Sequence, residues 1–537
     1  MFGKINLPCS EKRVAAAIAK YVECEKEVRK HDAERTEDDY LAFTRMSRLL
    51  WSDVFTHVDL KVFRGTLLPR HGPGATADRL TGNRKFEQRE WTERLEEVFP
   101  AREHLIPNER YYAYLDHVDF LEPGRERPVK VITVPKTLKT PRIIAIEPTS
   151  MQYMQQAISR ELVDTIESGD SRFGWCLGFR DQAPNQRMAS EGSYDGSLAT
   201  LDLSEASDRV SNQLVRRMLA PHKWLAMGVD ATRSRKADVP GHGVIRLSKF
   251  ASMGSALTFP LEAMVFSTLV FLGIERGLNT QFTAKDIRSY RGKVRVYGDD
   301  IVVPVESVRS VVDTLEAFGF RVNTDKSFWT GSFRESCGRE YYAGHDVSIT
   351  RVRSLFPSRR STGAGQSDDW PHRVISTVSL RNRLYMAGLW NTVRYMDDYL
   401  DKCLRHFPFV SPGAPVLGKW TFMGYETHKL HSTLHTPLVK GFVIQSRPRV
   451  SHLDDVGALL KCLSSSVDEG DLDSYLGFRS SPAFEDASLT FTQRLKRDVV
   501  LSALSGSEPA ADDDHLVRYG RPDAVDIKLR MASPYPR

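Results

Sequence analysis

The sequence has few features that would indicate a membrane, secreted or zinc-finger protein. Only six cysteines occur in 537 residues, and no two of them have the Cys-x-x-Cys spacing of zinc ligands or redox pairs. This scarcity argues against a disulfide framework and favours a reducing cytoplasm. The longest apolar run, AMVFSTLVFLGI at 263–274, is too short to cross a bilayer and predicts a buried helix. The first twenty residues lack a continuous apolar core, so we expect no signal peptide.

Neither sign of charge dominates the sequence. Its 75 Lys and Arg are nearly balanced by 69 Asp and Glu, which leaves a net charge of +6. Such an excess permits nucleic-acid binding without indicating it. The chain length predicts several subdomains, and no repeat of solenoid length is present. Strand and helix patterns alternate over 199–350, and a Ser/Gly-rich stretch at 358–370 predicts a boundary. Residues 374–406 predict a long helix, and we expect a loose tail beyond about 505.

A Tyr-x-Asp-Asp motif occurs twice, and the copy in RVYGDDIVV at 295–303 lies between two β-branched segments. These segments predict two strands, and Gly298 accepts the backbone angles that a tight hairpin needs. A strand–turn–strand unit holds carboxylates rigidly at a sheet edge, as a metal site requires. We therefore interpret Asp299 and Asp300 as candidate metal ligands.

The second copy, RYMDDYL at 394–400, has different neighbours. Apolar residues at three-and-four spacing continue through the motif. That spacing predicts an amphipathic helix with Asp397 and Asp398 on its polar face. We expect this acidic pair to be solvated and to have no part in chemistry.

A third candidate carboxylate lies in LATLDLSEASDRVS at 198–211. Residues 198–203 predict a buried strand, and Asp202 within it would be costly unless it is paired or bound to a cation. Together with the hairpin carboxylates it could hold two magnesium ions, one activating a hydroxyl and one neutralising a leaving pyrophosphate. Asp208 has two open interpretations, because it could serve the site or simply cap the following helix.

Two further segments could contact a nucleotide. VKVITVPKTLKTPRIIAI at 129–146 predicts a hairpin that carries four cations, Lys130, Lys136, Lys139 and Arg142. Such a hairpin suits a triphosphate, although a solvated turn fits the same residues. In KFASMGSALTF, the small-residue turn Ser252-Met253-Gly254 could approach a sugar closely, and the serine hydroxyl could hydrogen-bond it.

Four elements follow one another in the order found in right-hand template-directed polymerases. They are the basic hairpin, the Asp-bearing strand, the Ser-Met-Gly turn and the Tyr-Gly-Asp-Asp hairpin. The particular residues indicate a narrower group. The chain closely resembles the replicase subunit of the positive-strand RNA bacteriophages, the levivirus group, in six segments: TVPKTLKTPRIIAIEP, DQAPNQR, ATLDLSEASDRVS, SMGSALTF, VYGDDIVVP and GSFRESCGREYYAGHDV. The resemblance is dense from about 128 to 350. It implies an α+β right-hand polymerase with fingers, thumb and a palm whose antiparallel sheet is flanked by helices.

The resemblance also implies domain boundaries and site residues. The expected domains are an N-terminal region with fingers at 1–198, a palm at 199–357 and a thumb with C-terminal region at 358–537; part of 212–250 could belong to the fingers. The implied catalytic residues are Asp202, Asp299, Asp300 and Lys326, the last as proton donor to pyrophosphate. The implied nucleotide-binding residues are Lys136, Lys139, Arg142, Ser252, Gly254 and Asp208. Many relatives outside the phage group place an aspartate at the position of Ser207, so the role of Asp208 in ribose selection stays open.

The activity implied is RNA-dependent RNA synthesis from NTPs that replicates a single-stranded RNA phage genome. The three aspartates would bind two Mg²⁺ ions, for which Mn²⁺ could substitute. Expected partners are RNA template and product, the host translation elongation factors Tu and Ts, and a ribosomal RNA-binding protein. No membrane is expected, and the expected location is the cytoplasm of the bacterial host.

Two alternative functions remain at this point. A reverse transcriptase would fit the Tyr-Met-Asp-Asp copy, but such enzymes typically place a bulky aromatic after the first catalytic aspartate. No aromatic residue follows Asp202 in DLSEASD, so a ribonucleotide should be admitted. A non-catalytic RNA-binding protein with a polymerase-like fold would need the basic hairpin but not three carboxylates.

Overall fold

The computed structural model of the chain describes residues 9–136, 140–358, 370–447, 453–465 and 524–536. Lys139, one of the predicted triphosphate ligands, lies outside the described residues, as does nearly all of the predicted break at 358–370. Helices and small, largely antiparallel sheets alternate along the described part. The fold is therefore α+β, as the sequence predicts.

The helices occur throughout the described part of the chain. In chain order they are α1 (Glu11–Glu34), α2 (Glu37–Phe63), α3 (Glu93–Glu96), α4 (Ala101–His104), α5 (Thr149–Glu167), α6 (Ala183–Asp195), α7 (Ala206–Arg209), α8 (Asn212–Leu219), α9 (Lys223–Thr232), α10 (Thr258–Leu278), α11 (Ala284–Ser289), α12 (Val308–Ala317), α13 (Trp370–Met386), α14 (Trp390–Leu404) and α15 (Asp455–Ser465).

The strands are mostly short. In chain order they are β1 (Glu90–Thr92), β2 (Asp119–Leu121), β3 (Val129–Val134), β4 (Arg142–Ile146), β5 (Leu198–Leu201), β6 (Leu203–Ser204), β7 (Lys236–Val239), β8 (Gly243–Arg246), β9 (Arg295–Tyr297), β10 (Asp300–Pro304), β11 (Arg321–Val322), β12 (Phe333–Ser336), β13 (Arg339–Tyr342), β14 (His345–Asp346), β15 (Val416–Leu417), β16 (Lys429–Leu430), β17 (Pro437–Arg447) and β18 (Ala524–Ala532).

Helix α10 lies at the centre of the largest hydrophobic core. Every residue from Pro260 to Glu275 is buried, and α2 and α12 pack against the helix. By length and composition α10 could cross a membrane, but 94% of its most apolar window is buried inside the protein. The apolar run at 263–274 therefore forms a core helix, as predicted. This core continues through residues of β5, β9 and β10 and so supports the sheet described next.

A three-stranded antiparallel sheet of order β5-β10-β9 brings the first Asp-bearing segment to the Tyr-Gly-Asp-Asp hairpin. Leu201 pairs with Ile301, and on the other side of β10 Asp300 pairs with Tyr297. Continuing the first register by one residue places Asp202 opposite Asp300. After Asp202 the chain continues as β6, which pairs with β11. Asp202 thus lies where the chain leaves one strand partner and joins another.

The basic hairpin forms as predicted, with β3 and β4 antiparallel and Val134 opposite Arg142. Its sheet extends to β7 and β8 in the order β4-β3-β7-β8. Helix α1 covers one face of this sheet, where Ile18 and Tyr21 share a hydrophobic cluster with Val131. The first helix is thereby fixed beside the hairpin.

The prediction of one long helix over 374–406 is wrong. The segment forms two helices, α13 and α14, because Gly388 takes a left-handed φ of +76°. The amide of Leu389 donates to the Leu384 carbonyl and that of Gly388 to Tyr385, which is a Schellman helix end. Leu389 is 45% exposed and Trp390 55% exposed, so neither fills a helical core position.

The expectation of a loose tail is also wrong for the part of the tail that the structure describes. Strand β18 spans nine residues and pairs along its whole length with β17. Beyond it, the Pro534 carbonyl accepts a hydrogen bond from the Ser411 amide, and the Tyr535 ring contacts Tyr425. The chain end is therefore packed onto the C-terminal region.

Candidate active site

The Tyr-Gly-Asp-Asp segment is a tight hairpin between β9 and β10. Gly298 has a φ of +58°, and a Cβ added there would lie 2.6 Å from the Phe259 ring. The Tyr297 hydroxyl donates to the Phe179 carbonyl at 2.8 Å, which ties the turn to the preceding region. The turn therefore places Asp299 and Asp300 at the end of the β9–β10 hairpin, and this hairpin is the one predicted.

Asp202 is held at the adjacent strand end by residues that follow β11. The Asn323 amide donates to the Asp202 carbonyl at 2.8 Å, and the Asn323 side chain donates to Asp202 Oδ2 at 2.8 Å. The Ser327 hydroxyl accepts from the Asp202 amide at 3.0 Å. Lys326 Nζ lies 3.6 Å from Asp202 Oδ2. The predicted proton donor is thus brought beside the first predicted metal ligand.

The three aspartates crowd negative charge at this edge. Asp299 is accessible at the tip of the turn, yet surrounding protein desolvates it and, together with the charge of Asp202, raises its pKa; Lys136 and Lys326 oppose this rise. Burial raises the pKa of Asp300 to about 7, although its Oδ1 accepts the Cys337 amide at 3.1 Å. Neighbouring groups therefore do not fully neutralise the aspartates.

Uncompensated carboxylates at one edge are the donor set that a hard divalent cation such as Mg²⁺ prefers. Asp202, Asp299 and Asp300 are the residues that could hold it. As the side chains stand, no three His, Cys, Asp or Glu residues of the described ranges close around a single point. The residue types and charge fit the ion, and the predicted pair of magnesium ions stays a prediction.

The end of the basic hairpin reaches the same edge. Desolvation and the charges of Arg142 and Lys326 lower the pKa of Lys136, while Asp299 and Asp202 oppose this effect. Lys136 is therefore within electrostatic reach of these two carboxylates and of Arg142 and Lys326. Arg142, at the start of β4, is exposed. The structure brings these predicted triphosphate ligands together without testing their role.

The interpretation of Asp208 as a helix cap is wrong, because Glu205 occupies the cap position of α7 and Asp208 is the third residue of that helix. The Asp208 carboxylate instead accepts the Ser252 hydroxyl at 2.9 Å and Lys249 Nζ at 3.2 Å. Asp208 and the Ser-Met-Gly turn thus form one unit. Ribose selection by this unit remains a prediction.

Gly254 has a structural role that the sequence did not predict. Its φ is +135°, and an added Cβ would lie 1.8 Å from the Ala145 carbonyl oxygen of β4. The Met253 carbonyl accepts the Ala145 amide at 2.8 Å. Glycine here allows the turn to lie directly on the basic hairpin, whether or not a sugar also approaches it.

Other residues of the site were not predicted from the sequence. Glu262 of α10 is buried, and its Oε2 has no hydrogen-bond partner within the described residues. Burial, with the charges of Asp299 and Asp208, raises its pKa well above the ordinary value. A single acidic residue in the apolar segment TFPLEAMVFSTLVFLGI was a readable signal for such a residue. Lys249 and Tyr21 offered no comparable signal.

The Tyr-Met-Asp-Asp copy lies on α14, as predicted, and its two aspartates differ. Asp398 is exposed. Asp397 is not solvated as expected, because both its oxygens accept hydrogen bonds from Arg381, at 2.8 and 2.9 Å. The Arg381 side chain is only 2% exposed. This copy is therefore part of an internal ion pair of the C-terminal region.

Comparison with known proteins agrees with this geometry over the middle of the chain. Residues 124–357 match the family model described as RNA replicase, beta-chain. The resemblance to the phage replicases is thereby confirmed for this segment, which contains all the predicted site residues.

Individual relatives match over similar lengths. The RNA-directed RNA polymerase subunit beta of Escherichia virus Qbeta is 36% identical over 49% of this chain and 40% of its own length. The RNA-directed RNA polymerase beta chain of Escherichia phage MS2 is 38% identical over 40% of this chain and 36% of its own length. The chain thus covers about two fifths of these curated relatives.

Among solved structures, the RNA-dependent RNA polymerase of BmCPV at elongation state is 14% identical to this chain with a TM-score of 0.41. The match covers 68% of this chain and 34% of that chain.

Proposed function

We propose that this protein is an RNA-dependent RNA polymerase that replicates a single-stranded RNA phage genome by nucleotidyl transfer from NTPs. The observation that carries the proposal is the antiparallel pairing of β5 with β10. This pairing sets Asp202 beside the Tyr-Gly-Asp-Asp turn, where Lys326 and Lys136 also converge. Carboxylates and cations at one end of the sheet suit the attack of a hydroxyl on the α-phosphate of an NTP, with release of pyrophosphate.

In this proposal Asp202, Asp299 and Asp300 hold two Mg²⁺ ions, with Mn²⁺ as a possible substitute. When bound, the metal supplies hydroxyl activation and charge neutralisation at the leaving pyrophosphate. Lys136 and Arg142 donate to the triphosphate oxygens, as charged donors do in phosphate sites. Lys326, whose Nζ lies 3.6 Å from Asp202 Oδ2, is the proposed proton donor to the departing pyrophosphate. Lys139 is proposed on the resemblance alone.

The sugar of the incoming nucleotide is assigned to the unit formed by Asp208 and Ser252. The unit adjoins the edge that carries the catalytic carboxylates. This follows because Glu262 is within electrostatic reach both of Asp208 in the unit and of Asp299 at that edge. The residues after Asp202 include no aromatic side chain that would block a 2′-hydroxyl. The proposed substrates are therefore ribonucleotides, which separates this protein from a reverse transcriptase.

We also propose a right-hand architecture, with fingers in 1–198, a palm at 199–357 and a thumb in 358–537. The sheet that joins β3 and β4 to β7 and β8 supports assigning part of 212–250 to the fingers. By resemblance the template and product are RNA, and the protein partners are elongation factors Tu and Ts and a ribosomal RNA-binding protein. The proposed place of action is the cytoplasm of the bacterial host, where these factors occur.

The test compares the wild-type chain with Asp299→Asn and with Asp398→Asn, an exposed aspartate of the helical Tyr-x-Asp-Asp copy. Each protein is purified from a bacterial host, so that bound host factors remain with it, and is given RNA template, Mg²⁺ and labelled NTPs. Asp299→Asn should reduce nucleotide incorporation at least ~100-fold, because a metal ligand contributes several kcal/mol to transition-state stabilisation. Asp398→Asn should stay within about twofold of wild type.

Three outcomes would overturn the proposal. A folded wild-type protein that makes no RNA would favour the non-catalytic RNA-binding alternative. Preferred incorporation of deoxyribonucleotides on an RNA template would favour reverse transcription. Full activity of Asp299→Asn would show that chemistry occurs elsewhere in the chain.

A further inference from the structure

A buried hydrogen-bond chain connects the N-terminal helix α1 to the proposed sugar site. The Tyr21 hydroxyl lies 3.0 Å from Ser252 Oγ, although 231 residues separate the two in sequence. Ser252 Oγ in turn lies 2.9 Å from Asp208 Oδ1. Tyr21 is 3% exposed and Ser252 4% exposed, so water does not compete for these bonds. Tyr21 also lies outside the segment 124–357 that matches the replicase family.

The chemistry of the groups fixes the direction of these bonds. A carboxylate can only accept hydrogen bonds, and a serine hydroxyl has a single hydrogen to donate. Ser252 therefore donates to Asp208, and Tyr21 must donate to Ser252. Tyr21 thus occupies the acceptor side of the Ser252 hydroxyl and leaves its only proton for Asp208.

Lys249 supports both ends of this chain. Its side chain is fully buried, with Nζ 3.6 Å from the centre of the Tyr21 ring and 3.2 Å from Asp208 Oδ1. Glu25, one turn after Tyr21 on α1, lies 3.9 Å from the same ammonium group. Helix α1 therefore contributes a hydroxyl, an aromatic face and a carboxylate to the surroundings of Asp208.

These contacts involve only one of the two carboxylate oxygens of Asp208. Oδ1 accepts both Ser252 and Lys249, whereas Oδ2 has no hydrogen-bond partner among the described residues. The Asp208 side chain is 17% exposed, so a ligand can reach it. An anchored carboxylate with one open oxygen is a preorganised acceptor for a hydroxyl group.

We propose that Tyr21 is a positioning residue for sugar recognition, which rests on the proposed polymerase function. By directing the Ser252 proton to Asp208, it holds Oδ2 of Asp208 in place to accept a ribose hydroxyl of the incoming nucleotide. The N-terminal helix thereby takes part in discrimination between ribonucleotides and 2′-deoxyribonucleotides.

The decisive variant is Tyr21→Phe, which removes the hydroxyl and keeps the ring that Lys249 contacts. Its preference for GTP over dGTP, measured as the ratio of kcat/KM values, should fall about 5- to 10-fold, as expected for one lost hydrogen bond. The loss should appear mainly in the KM for GTP. The matched control is Tyr40→Phe on α2, which removes the hydroxyl of another buried tyrosine. That hydroxyl accepts a hydrogen bond from Arg35 at 3.1 Å, and the variant should keep the wild-type preference.

A double-mutant cycle separates positioning from general structural support. If Tyr21 acts through Ser252, then Tyr21→Phe should change nothing further in a Ser252→Ala background. An unchanged GTP preference in Tyr21→Phe would overturn the proposal, as would an equal loss in both backgrounds.

A crystal structure of Tyr21→Phe gives a readout that does not need activity. The proposal expects Ser252 Oγ to leave its 2.9 Å contact with Asp208 in that structure. An unmoved Ser252 would overturn the role of Tyr21. A wild-type chain without polymerase activity would instead overturn the proposed function, so the two failures can be told apart.

Discussion

The two aspartates of the helical Tyr-Met-Asp-Asp copy should respond very differently to substitution by alanine. Asp397 forms a two-pronged ion pair with Arg381, and Asp398 beside it is exposed. Asp397→Ala should therefore destabilise the C-terminal region, whereas Asp398→Ala should not. Neither change should alter nucleotide addition by the molecules that remain folded, because neither residue belongs to the proposed active site.

The magnitude follows from the burial of the two partners. Arg381 is 2% exposed and Asp397 21% exposed, so removing Asp397 leaves a buried guanidinium without its counter-charge. Breaking a buried pair in this way costs about 3–5 kcal/mol, and because Asp397 is partly exposed we expect a loss of about 3 kcal/mol. The bonds from Arg381 to the Trp420 carbonyl and the Asn382 side chain remain. Asp398→Ala should stay within about 0.5 kcal/mol.

Urea unfolding followed by tryptophan fluorescence measures this difference, since Trp370 and Trp420 lie in the same region. RNA synthesis is then measured below the unfolding transition and divided by the folded fraction. Equal stability of the two variants would refute the reasoning about the ion pair. A strong loss of synthesis in folded Asp397→Ala would mean that the helical copy, and not the hairpin, takes part in chemistry.

Two further predictions concern the turn beside the site and a buried acid. Gly254→Ala should cost about 3 kcal/mol or more, because its φ of +135° strains alanine and the new Cβ would lie 1.8 Å from the Ala145 oxygen. Gly292→Ala, at φ +79° with nothing within 4 Å of the new Cβ, should cost only about 1 kcal/mol in urea unfolding, and equal losses would contradict the close approach. Burial raises the pKa of Glu147 from 4.5 to about 7, so the folded state retains a proton there and stability falls as pH rises from 4.5 to about 7. Glu147→Gln should reduce that fall. If the unfolding free energies of the two proteins fell by the same amount across this pH window, the assignment would be contradicted.

The local parts of the site could be predicted from the sequence because each depends on a short pattern. β-branched segments around Gly298 predict a hairpin, and the structure has β9 and β10 there. The same holds for the basic hairpin of β3 and β4. Even the missed strand β18 has a readable signal, since Val525, Ile527, Leu529 and Met531 alternate with polar residues. A search for two-residue alternation in the tail would have found it.

The remaining contacts could not be predicted, because they join residues that no periodicity relates. Tyr21 and Ser252 are 231 residues apart, and only the packing of α1 onto the sheet of β3 and β4 brings them together. Arg381 lies 16 residues before Asp397 across the break at Gly388. A helical pattern assigns Asp397 to a polar face but does not show that a neighbouring helix covers this face.

The residue between the tyrosine and the first aspartate distinguishes the local structures of the two Tyr-x-Asp-Asp copies. In the helix this residue is Met396, which is 1% exposed and anchors α14 in its core. In the hairpin it is Gly298, whose positive φ reverses the chain. The helical copy then places Asp397 against the guanidinium of Arg381, which neutralises it. In the hairpin copy the surrounding protein desolvates both aspartates and places Asp202 beside them. Desolvation first, and the neighbouring negative charge second, raise their pKa values, and a cation would stabilise their ionised forms. Identical acidic residues thus become a structural ion pair in one setting and a candidate metal site in the other.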